Sequence, residues 1–598
     1  MSPRLTDQRD IDFVLYEQFK ADAFLQSDKY KAFNKKMFDM VVKEAKNLAT
    51  KEIFPTYAEC DKDGVKFENG MVKVPECLRK PHQLLVEGEW GALTESQEYG
   101  GQGLPFTIVQ AALEYLIGAN YVLMTYPILG HGAGKMINLY GTPKQKELFL
   151  KKLYTGIWGG TMLLTEPGAG SDVGALTTSA RKRDDGSYDI TGSKIFITNG
   201  EQNLTENIIH PVLARIEGAP AGTKGISLFI VPKFWVNDDG SLGEPNDVVC
   251  TGVEEKMGLH GSPTCSMSLG SKGRCRGFLL GKPNKGMEVM FHMMNEVRLE
   301  VGTQAFSSAT LAYQHALDYA KQRLQGRSIE NLADHGAAQV PIIRHPDVKR
   351  MLLKMKAYVE GLRSLIYYVA FCFDKEETSK DGMEVLKYSH LIGILTPIVK
   401  AYTSEKGFDV CVEAMQVFGG YGYTKEYPVE QMVRDCKIAS IYEGANGIQA
   451  MDFLGRKISG SKGEMLKALV HEINLTIETA KKQDRLKGLA EKLESGVALL
   501  ETTCTNASRA MFSTHAASAF ASAHPLMEAT GDIIMAWMLL WRAVIADEKL
   551  QSKDASFYRG KIKAAEFFIT TLLPVTLGKL NAVTYENNPA ADMDEGLF

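Results

Sequence analysis

The chain has no Cys-x-x-Cys pair. Its nine cysteines, at 60, 77, 250, 265, 275, 372, 411, 436 and 504, are scattered through 598 residues. Neither a zinc ribbon nor a redox dithiol is indicated, no metal is expected, and reduced, mostly buried thiols are the natural reading. An excess of one charge is also missing: 68 Lys and Arg stand against 72 Asp and Glu, a formal net charge of −4. Such a balance supplies no positive field for a polyphosphate backbone, so no nucleic-acid partner is expected. No uninterrupted apolar run approaches the roughly 18 residues that a bilayer span needs, and the richest, at 365–373, is much shorter. The opening Met1-Ser-Pro-Arg-Leu-Thr-Asp7 lacks the apolar core of a signal peptide. We therefore expect no membrane span and a cytoplasmic protein. Beyond Gly463 no repeat of fixed period and no chemistry-bearing motif is found either. What remains is ordinary globular composition, 45% hydrophobic and 23% charged, in a chain of 598 residues, long enough for about four domain-sized units.

Apolar spacing divides the chain into stretches of different period. From Asp10 to about Tyr154 apolar residues recur every three or four positions, as at Phe33, Met37, Met40 and Val41, which is the helical period. Glycine-rich breaks at Glu98–Pro105 and Gly130–Gly134 mark tight turns or close approaches. Short β-rich runs follow, such as Lys194-Ile-Phe-Ile-Thr198 and Ile226-Ser-Leu-Phe-Ile-Val231. After Pro283 the helical period returns over roughly 285–324, 346–374, 387–417 and 429–458, without the βα alternation of a Rossmann sheet. We expect a mostly α protein with a central β domain. Its parts are an N-terminal helical domain over 1–156, a β domain over 157–282, a four-helix domain over 283–458 and a further helical domain over 459–598.

Four segments combine chemistry-bearing residues, and each also has a plain structural explanation. Leu164-Thr165-Glu166-Pro167-Gly168-Ala169-Gly170-Ser171-Asp172 crowds glycines and hydroxyls into one turn, suited to a polar ligand edge or to a bare loop. Lys194–Gly200 ends a strand in Asn-Gly, which a simple hairpin would also do. Gln416-Val-Phe-Gly419-Gly420-Tyr-Gly-Tyr423 closes a helix with more glycines than a C-cap requires. In Ile441-Tyr442-Glu443-Gly444-Ala445-Asn446-Gly447-Ile448-Gln449 a lone carboxylate precedes small residues. A glutamate there commonly complements a helix dipole, and its meaning comes from its company.

Taken in order, Glu98–Pro105, Thr165–Asp172, Lys194–Gly200, Met257-Gly-Leu-His-Gly-Ser262, Gln416–Tyr423 and Ile441–Gln449 resemble the acyl-CoA dehydrogenase flavoenzymes. The resemblance covers about residues 30 to 458. It implies a helical domain, a β-barrel-like domain and a four-helix bundle with FAD between them. Asp10–Glu17, Phe67-Glu-Asn-Gly70 and the long C-terminus look like the subgroup that includes 3-methylmercaptopropionyl-CoA dehydrogenases, which fixes no particular acyl chain. Carried onto this chain, the family pattern makes Glu443 the catalytic base. It sets Met162, Leu164, Thr165, Gly170, Ser171, Phe196, Thr198, Ala445 and Gly447 around FAD. Arg323, Gln416, Gly419 and Gly420 fall on the adenosine diphosphate half of a neighbouring subunit's FAD, which implies a homodimer or higher homo-oligomer. Ser171, Asn295, Arg298, Tyr442 and Gly444 fall around the acyl-CoA. Some relatives carry the base one residue before the arginine; here that residue is Val297, which leaves Glu443 without a rival.

The implied reaction is α,β-dehydrogenation of an acyl-CoA to a trans-2-enoyl-CoA, with an electron-transferring flavoprotein as acceptor. Burial would raise the pKa of Glu443 towards that of the substrate α-proton, and oxyanion-type donors would hold the carbonyl oxygen. Three departures from the family pattern bear on this. Ala445 replaces a common threonine, removing a hydroxyl worth about 1 kcal/mol of cofactor binding. Phe196 replaces a common tryptophan, and Met162 a common aromatic, which puts the acceptor in question. An acyl-CoA oxidase that makes hydrogen peroxide shares base and cofactor and remains an alternative. A silent CoA- or lipid-binding scaffold is the other; flavin monooxygenases need no α-proton base.

Overall fold

Strand-forming sequence between Trp158 and Leu280 builds one eight-stranded sheet. Its strands are β1 (Trp158–Gly160), β2 (Ser179–Lys182), β3 (Tyr188–Thr198), β4 (Asn207–Ile216), β5 (Ile226–Pro232), β6 (Val248–Val253), β7 (Thr264–Leu269) and β8 (Arg276–Leu280). Their order is β6-β7-β3-β8-β5-β4-β1, and β2 pairs with both β3 and β4. Strands β3, β8, β5, β4 and β2 therefore close a ring, which removes edges that would otherwise be exposed. Only β1 and β2 run parallel to β4. Strand β7 alternates partly and fully buried residues as a half-buried strand should, whereas every residue of β5 is buried, with Ile226, Leu228, Ile230 and Val231 its branched apolar residues. This is a computed structural model, describing residues 4–598 apart from 332, 584 and 587 and omitting the side chains of 292 and 293.

Those strands belong to one of two compact units, formed by Lys43–Pro105 and Ala119–Val297. In it the helix Pro143–Tyr154 starts with a Thr142/Gln145 capping box. Its Phe149, Leu150, Leu153 and Tyr154 pack with Trp158, Ile209, Leu228 and Ile230 in one core cluster. A second cluster gathers Ile190, Ile197, Val212, Phe229, Val231, Cys265 and Met267 from the strands. Eight of the nine cysteines are buried, Cys77 is partly buried, and all are free thiols.

The other unit comprises Met1–Val42, Phe106–Gly118 and Arg298–Phe598. Three long helices, Gly286–Gln322, Pro346–Thr378 and Gly382–Phe418, follow the expected periods, the first of them beginning in the other unit's residues. The stretch read as a fourth helix over 429–458 is broken. Val429–Lys437 and Asn446–Asp452 are helical, and between them the chain turns through Glu443 and Gly444 at φ 54° and 84°. Left-handed residues cannot continue a right-handed helix, so the apolar period survives the break while the helix does not.

Downstream, Glu464–Lys481, Lys487–Met511, Ala516–Ala521, Ala523–Asp547 and Ala555–Phe567 are helical. Ala523–Asp547, whose apolar run is broken, is by length and composition enough to cross a membrane, a test that mostly buried core helices also pass. Polar Asp532 and Arg542 interrupt the run without interrupting the helix, and 89% of its most apolar stretch is buried in the protein. Arg542 meets the N-terminal segment there: Asp10, 1% exposed, is ion-paired to Arg363, Arg542 and Lys561. Arg363 also pairs with Glu114 at 2.7 Å. These cations overcome the desolvation of Asp10 and hold its carboxyl well below the usual range.

Candidate active site

In the β unit, the loop after β1 is pinned from beneath by a buried ion pair. Lys194 on β3 donates to Glu166 at 2.8 Å and to the carbonyls of Leu164 and Leu213 at 3.0 and 2.9 Å. Glu166 also accepts the N–H and hydroxyl of Thr177 and those of Thr178. Burial pushes the Glu166 carboxyl up, but the bonds from Lys194, Thr178 and Thr177 bring it down to about 2. Glu166 and Ala169 exchange backbone bonds across the turn, and the Ile195 N–H donates to the Thr165 carbonyl at 2.9 Å. Below this anchorage Met162 and Leu164 pack on the core; above it Gly170 and Ser171 are exposed, with open space beside Gly168 and Gly170.

Strand β3 carries the second element. Between its pairings Thr198↔Thr264 and Lys194↔Met267 the register with β7 shifts, because Ile195 and Phe196 oppose one residue, Ser266. Phe196 takes φ 59° in this bulge and the residue is 59% exposed. A left-handed phenylalanine costs about 1–3 kcal/mol and persists only where its surroundings impose it. Strict alternation along Lys194–Thr198 is thus replaced by a bulge that throws one aromatic ring outward. Thr198 is partly buried at the strand end, and Asn295 is partly buried on the Gly286–Gln322 helix.

In the helical unit, Glu443 sits in the break between helices. Its carboxylate is partly buried, and no described hydrogen bond or ion pair uses it or its backbone N–H. The turn around it is tied down on its carbonyl side. Gln449 Nε2 donates to the Glu443 and Gly444 carbonyls at 3.3 and 3.1 Å, and Lys400 Nζ to the Gly444 carbonyl at 2.7 Å. The positive φ of Gly444 favours glycine, and an added Cβ would lie 2.6 Å from Gln449 Nε2 and displace the amide that holds the turn. Burial raises the Glu443 carboxyl above its ordinary value, and the charges of Lys400 and Arg298 offset part of that rise. Arg298 itself is buried and donates to Asp452 at 2.9 Å, with its Nε unpartnered. Tyr442 is partly buried and donates to Gln304. Ala445 caps the Asn446–Asp452 helix without any side-chain bond, and Gly447 is exposed.

Elsewhere in this unit Arg323 is exposed, with its guanidinium 5.7 Å from the Tyr421 ring. Gln416, Gly419 and Gly420 are exposed beside that ring in the chain, with open space at both glycines. The expected residues thus fall in two sets. The β unit holds Met162, Leu164, Thr165, Gly170, Ser171, Phe196, Thr198 and Asn295. The helical unit holds Arg298, Arg323, Gln416, Gly419, Gly420, Tyr442, Glu443, Gly444, Ala445 and Gly447. Sequence reading passed over Lys194 with Glu166, and Lys400 with Asn446 and Gln449. The available signal was a lysine inside an apolar strand and another inside an apolar helical stretch. Among the described residues no group of three or more His, Cys, Asp or Glu could hold a metal.

Comparison with known proteins gives matches along most of the chain. Family models match in order: acyl-CoA dehydrogenase, N-terminal domain at 36–157; middle domain at 161–271; C-terminal domain at 284–458; and acetyl-CoA dehydrogenase C-terminal like at 469–594. A butyryl-CoA dehydrogenase of Syntrophomonas wolfei is 36% identical, over 99% of both chains. A 3-methylmercaptopropionyl-CoA dehydrogenase of Ruegeria pomeroyi is 37% identical over 86% of both. Among solved structures, an acyl-CoA dehydrogenase of Bacillus anthracis complexed with FAD has the same fold. Its TM-score is 0.72 at 22% identity, covering 95% of this chain and 92% of that one.

Proposed function

The chain belongs to the acyl-CoA dehydrogenase family, and from that premise we propose that it converts an acyl-CoA thioester to the trans-2-enoyl-CoA with Glu443 as the α-proton base. One observation carries this reading: the Glu443 carboxylate, on a left-handed turn, has no described partner of its own although the backbone carbonyls of Glu443 and Gly444 do. A carboxylate committed to a structural role would accept donors, as Glu166 does. In water a carboxylate is far too weak a base for a thioester α-proton, and the burial that raises the Glu443 carboxyl narrows the gap. The uncommitted N–H of the same residue is available to a thioester carbonyl oxygen, where a fixed donor stabilises developing charge.

FAD is the proposed cofactor, and when bound it supplies the acceptor for the β-hydride. The residues present fit it. Phe196 offers an outward ring beside Thr198; the pinned Thr165–Ser171 loop offers hydroxyls and open glycines; Ala445 and Gly447 leave room near the base. Arg323 with Gln416, Gly419 and Gly420 suits a diphosphate, which supports a homodimer in which each copy completes its neighbour's site. An electron-transferring flavoprotein is the proposed acceptor for the electrons.

The test is turnover of the flavin-loaded protein with a panel of acyl-CoA esters and an artificial acceptor. Glu443→Gln should retain flavin and lose roughly 10²–10⁴ in kcat, the range for a positioned base. Near-normal turnover in that variant would end the assignment. Stoichiometric peroxide in air without added acceptor would convert the reading to an oxidase, and a flavin spectrum that no acyl-CoA bleaches would leave only a binding scaffold.

A further inference from the structure

Lys400, on the Gly382–Phe418 helix, is an ammonium with 0% exposure. It has no carboxylate within ion-pair distance among the described residues. Its two described bonds go to neutral oxygens, the Gly444 carbonyl at 2.7 Å and Asn446 Oδ1 at 3.1 Å. Burying a cation against neutral acceptors is costly, and an apolar side chain could fill the same space without that cost. Both acceptors lie in the turn that carries Glu443. Asn446 is held in its turn by the Ala401 carbonyl, Ser404 and Glu405, at 3.2, 3.0 and 2.9 Å.

The other charges nearby are already committed. Arg298, from the Gly286–Gln322 helix, is paired with Asp452, and Asp452 also accepts from Arg456 at 2.6 Å. Glu405, on the same helix as Lys400, accepts from His524 of the Ala523–Asp547 helix at 2.7 Å. On that helix Glu528 is taken by Lys406, and Asp532 by Tyr402 and Thr576. Of the two carboxylates that act on the Lys400 charge through space, Glu443 has the larger effect and Glu405 the smaller, and Lys400 acts on Glu443 in return.

We propose that Lys400 is a positioning residue for the Glu443 base: its ammonium fixes the turn through the Gly444 carbonyl and Asn446, and its charge keeps the Glu443 carboxylate ionised before each proton abstraction. This rests on the reading that Glu443 takes the α-proton. Burial acts to raise the carboxyl of the base and so favours its protonated, idle form. The buried cation limits that rise. Burial likewise draws Lys400 itself down, to about 8, so its charge is present through neutral pH and fades above it.

The test is the pH profile of kcat/KM for the flavin-loaded protein. Activity rises with pH as Glu443 ionises, and loss of the neighbouring cation moves that acid limb upward. Lys400→Gln, which keeps a donor but no charge, should shift the limb up by about one pH unit. Asn446→Ala, which loosens the turn but keeps the charge, should lower kcat with the limb in place. Lys400→Arg should restore the limb. If Lys400→Gln fails to fold, Lys400→Met decides, since it removes the charge without leaving an unpaired buried donor and should shift the limb in the same direction. An acid limb that coincides with the wild type in the flavin-loaded Lys400→Gln protein, or in Lys400→Met when that protein is the one measured, overturns the proposal. An inactive wild type, or an active Glu443→Gln, would instead overturn the assignment of the base.

Discussion

Lys194→Met removes one partner from a fully buried pair. Lys194 is 0% and Glu166 3% exposed, so neither charge can turn to water when the other is lost. Breaking such a pair costs about 3–5 kcal/mol. Glu166 keeps four donors from Thr177 and Thr178, which favours the lower figure. The carbonyls of Leu164 and Leu213 each lose a donor, which adds about 1 kcal/mol apiece. The sum is about 5 kcal/mol, and Glu166→Gln made together with Lys194→Met should recover part of it, since no unpaired charge then remains. Urea unfolding of the four proteins in the double-mutant cycle measures this, and visible absorbance gives their flavin content. Lys194→Met should lose flavin as well as stability, because the Thr165–Ser171 loop stands on the pair. The same pair has a pH signature. With its folded value depressed to about 2, Glu166 contributes stability that is present above its ordinary range of about 4.5 and is lost as pH falls towards 2. Glu166→Gln should flatten that part of the stability profile. A Lys194→Met protein within 1 kcal/mol of wild type by the unfolding scale, with full flavin, would refute the reasoning.

Two further variants probe the framework. Asp10→Asn leaves Arg363, Arg542 and Lys561 facing one another without their shared carboxylate, and should destabilise by about 3–5 kcal/mol in urea unfolding. A loss below about 1 kcal/mol would mean that those cations are satisfied elsewhere. Ala445→Thr supplies the missing N-cap oxygen to the Asn446–Asp452 helix and should raise stability by about 1 kcal/mol, visible as a higher Tm. An unchanged or lower Tm would show that the added methyl group or hydroxyl is not accommodated at that turn.

Helical period, strand alternation and glycine punctuation act over a few residues, so the sequence alone settled the helical, then β, then helical order and where its motifs stand. Glu443 was marked only by its place in a family pattern of ordered motifs, since a lone carboxylate before small residues is by itself compatible with a helix-dipole role. Tertiary structure decided what such patterns cannot encode. The 429–458 period does not reveal the break at Glu443 and Gly444, for apolar spacing is blind to the sign of φ. Alternation along Lys194–Thr198 gives no warning of the bulge at Phe196, which depends on how β7 pairs with β3. Buried charges are the furthest from local reading. Lys194 finds Glu166 at a separation of 28 residues, Lys400 finds Gly444 at 44 and Arg542 finds Asp10 at 532. A charge can enter a core only with its partner already placed, and only the folded chain places residues so far apart side by side.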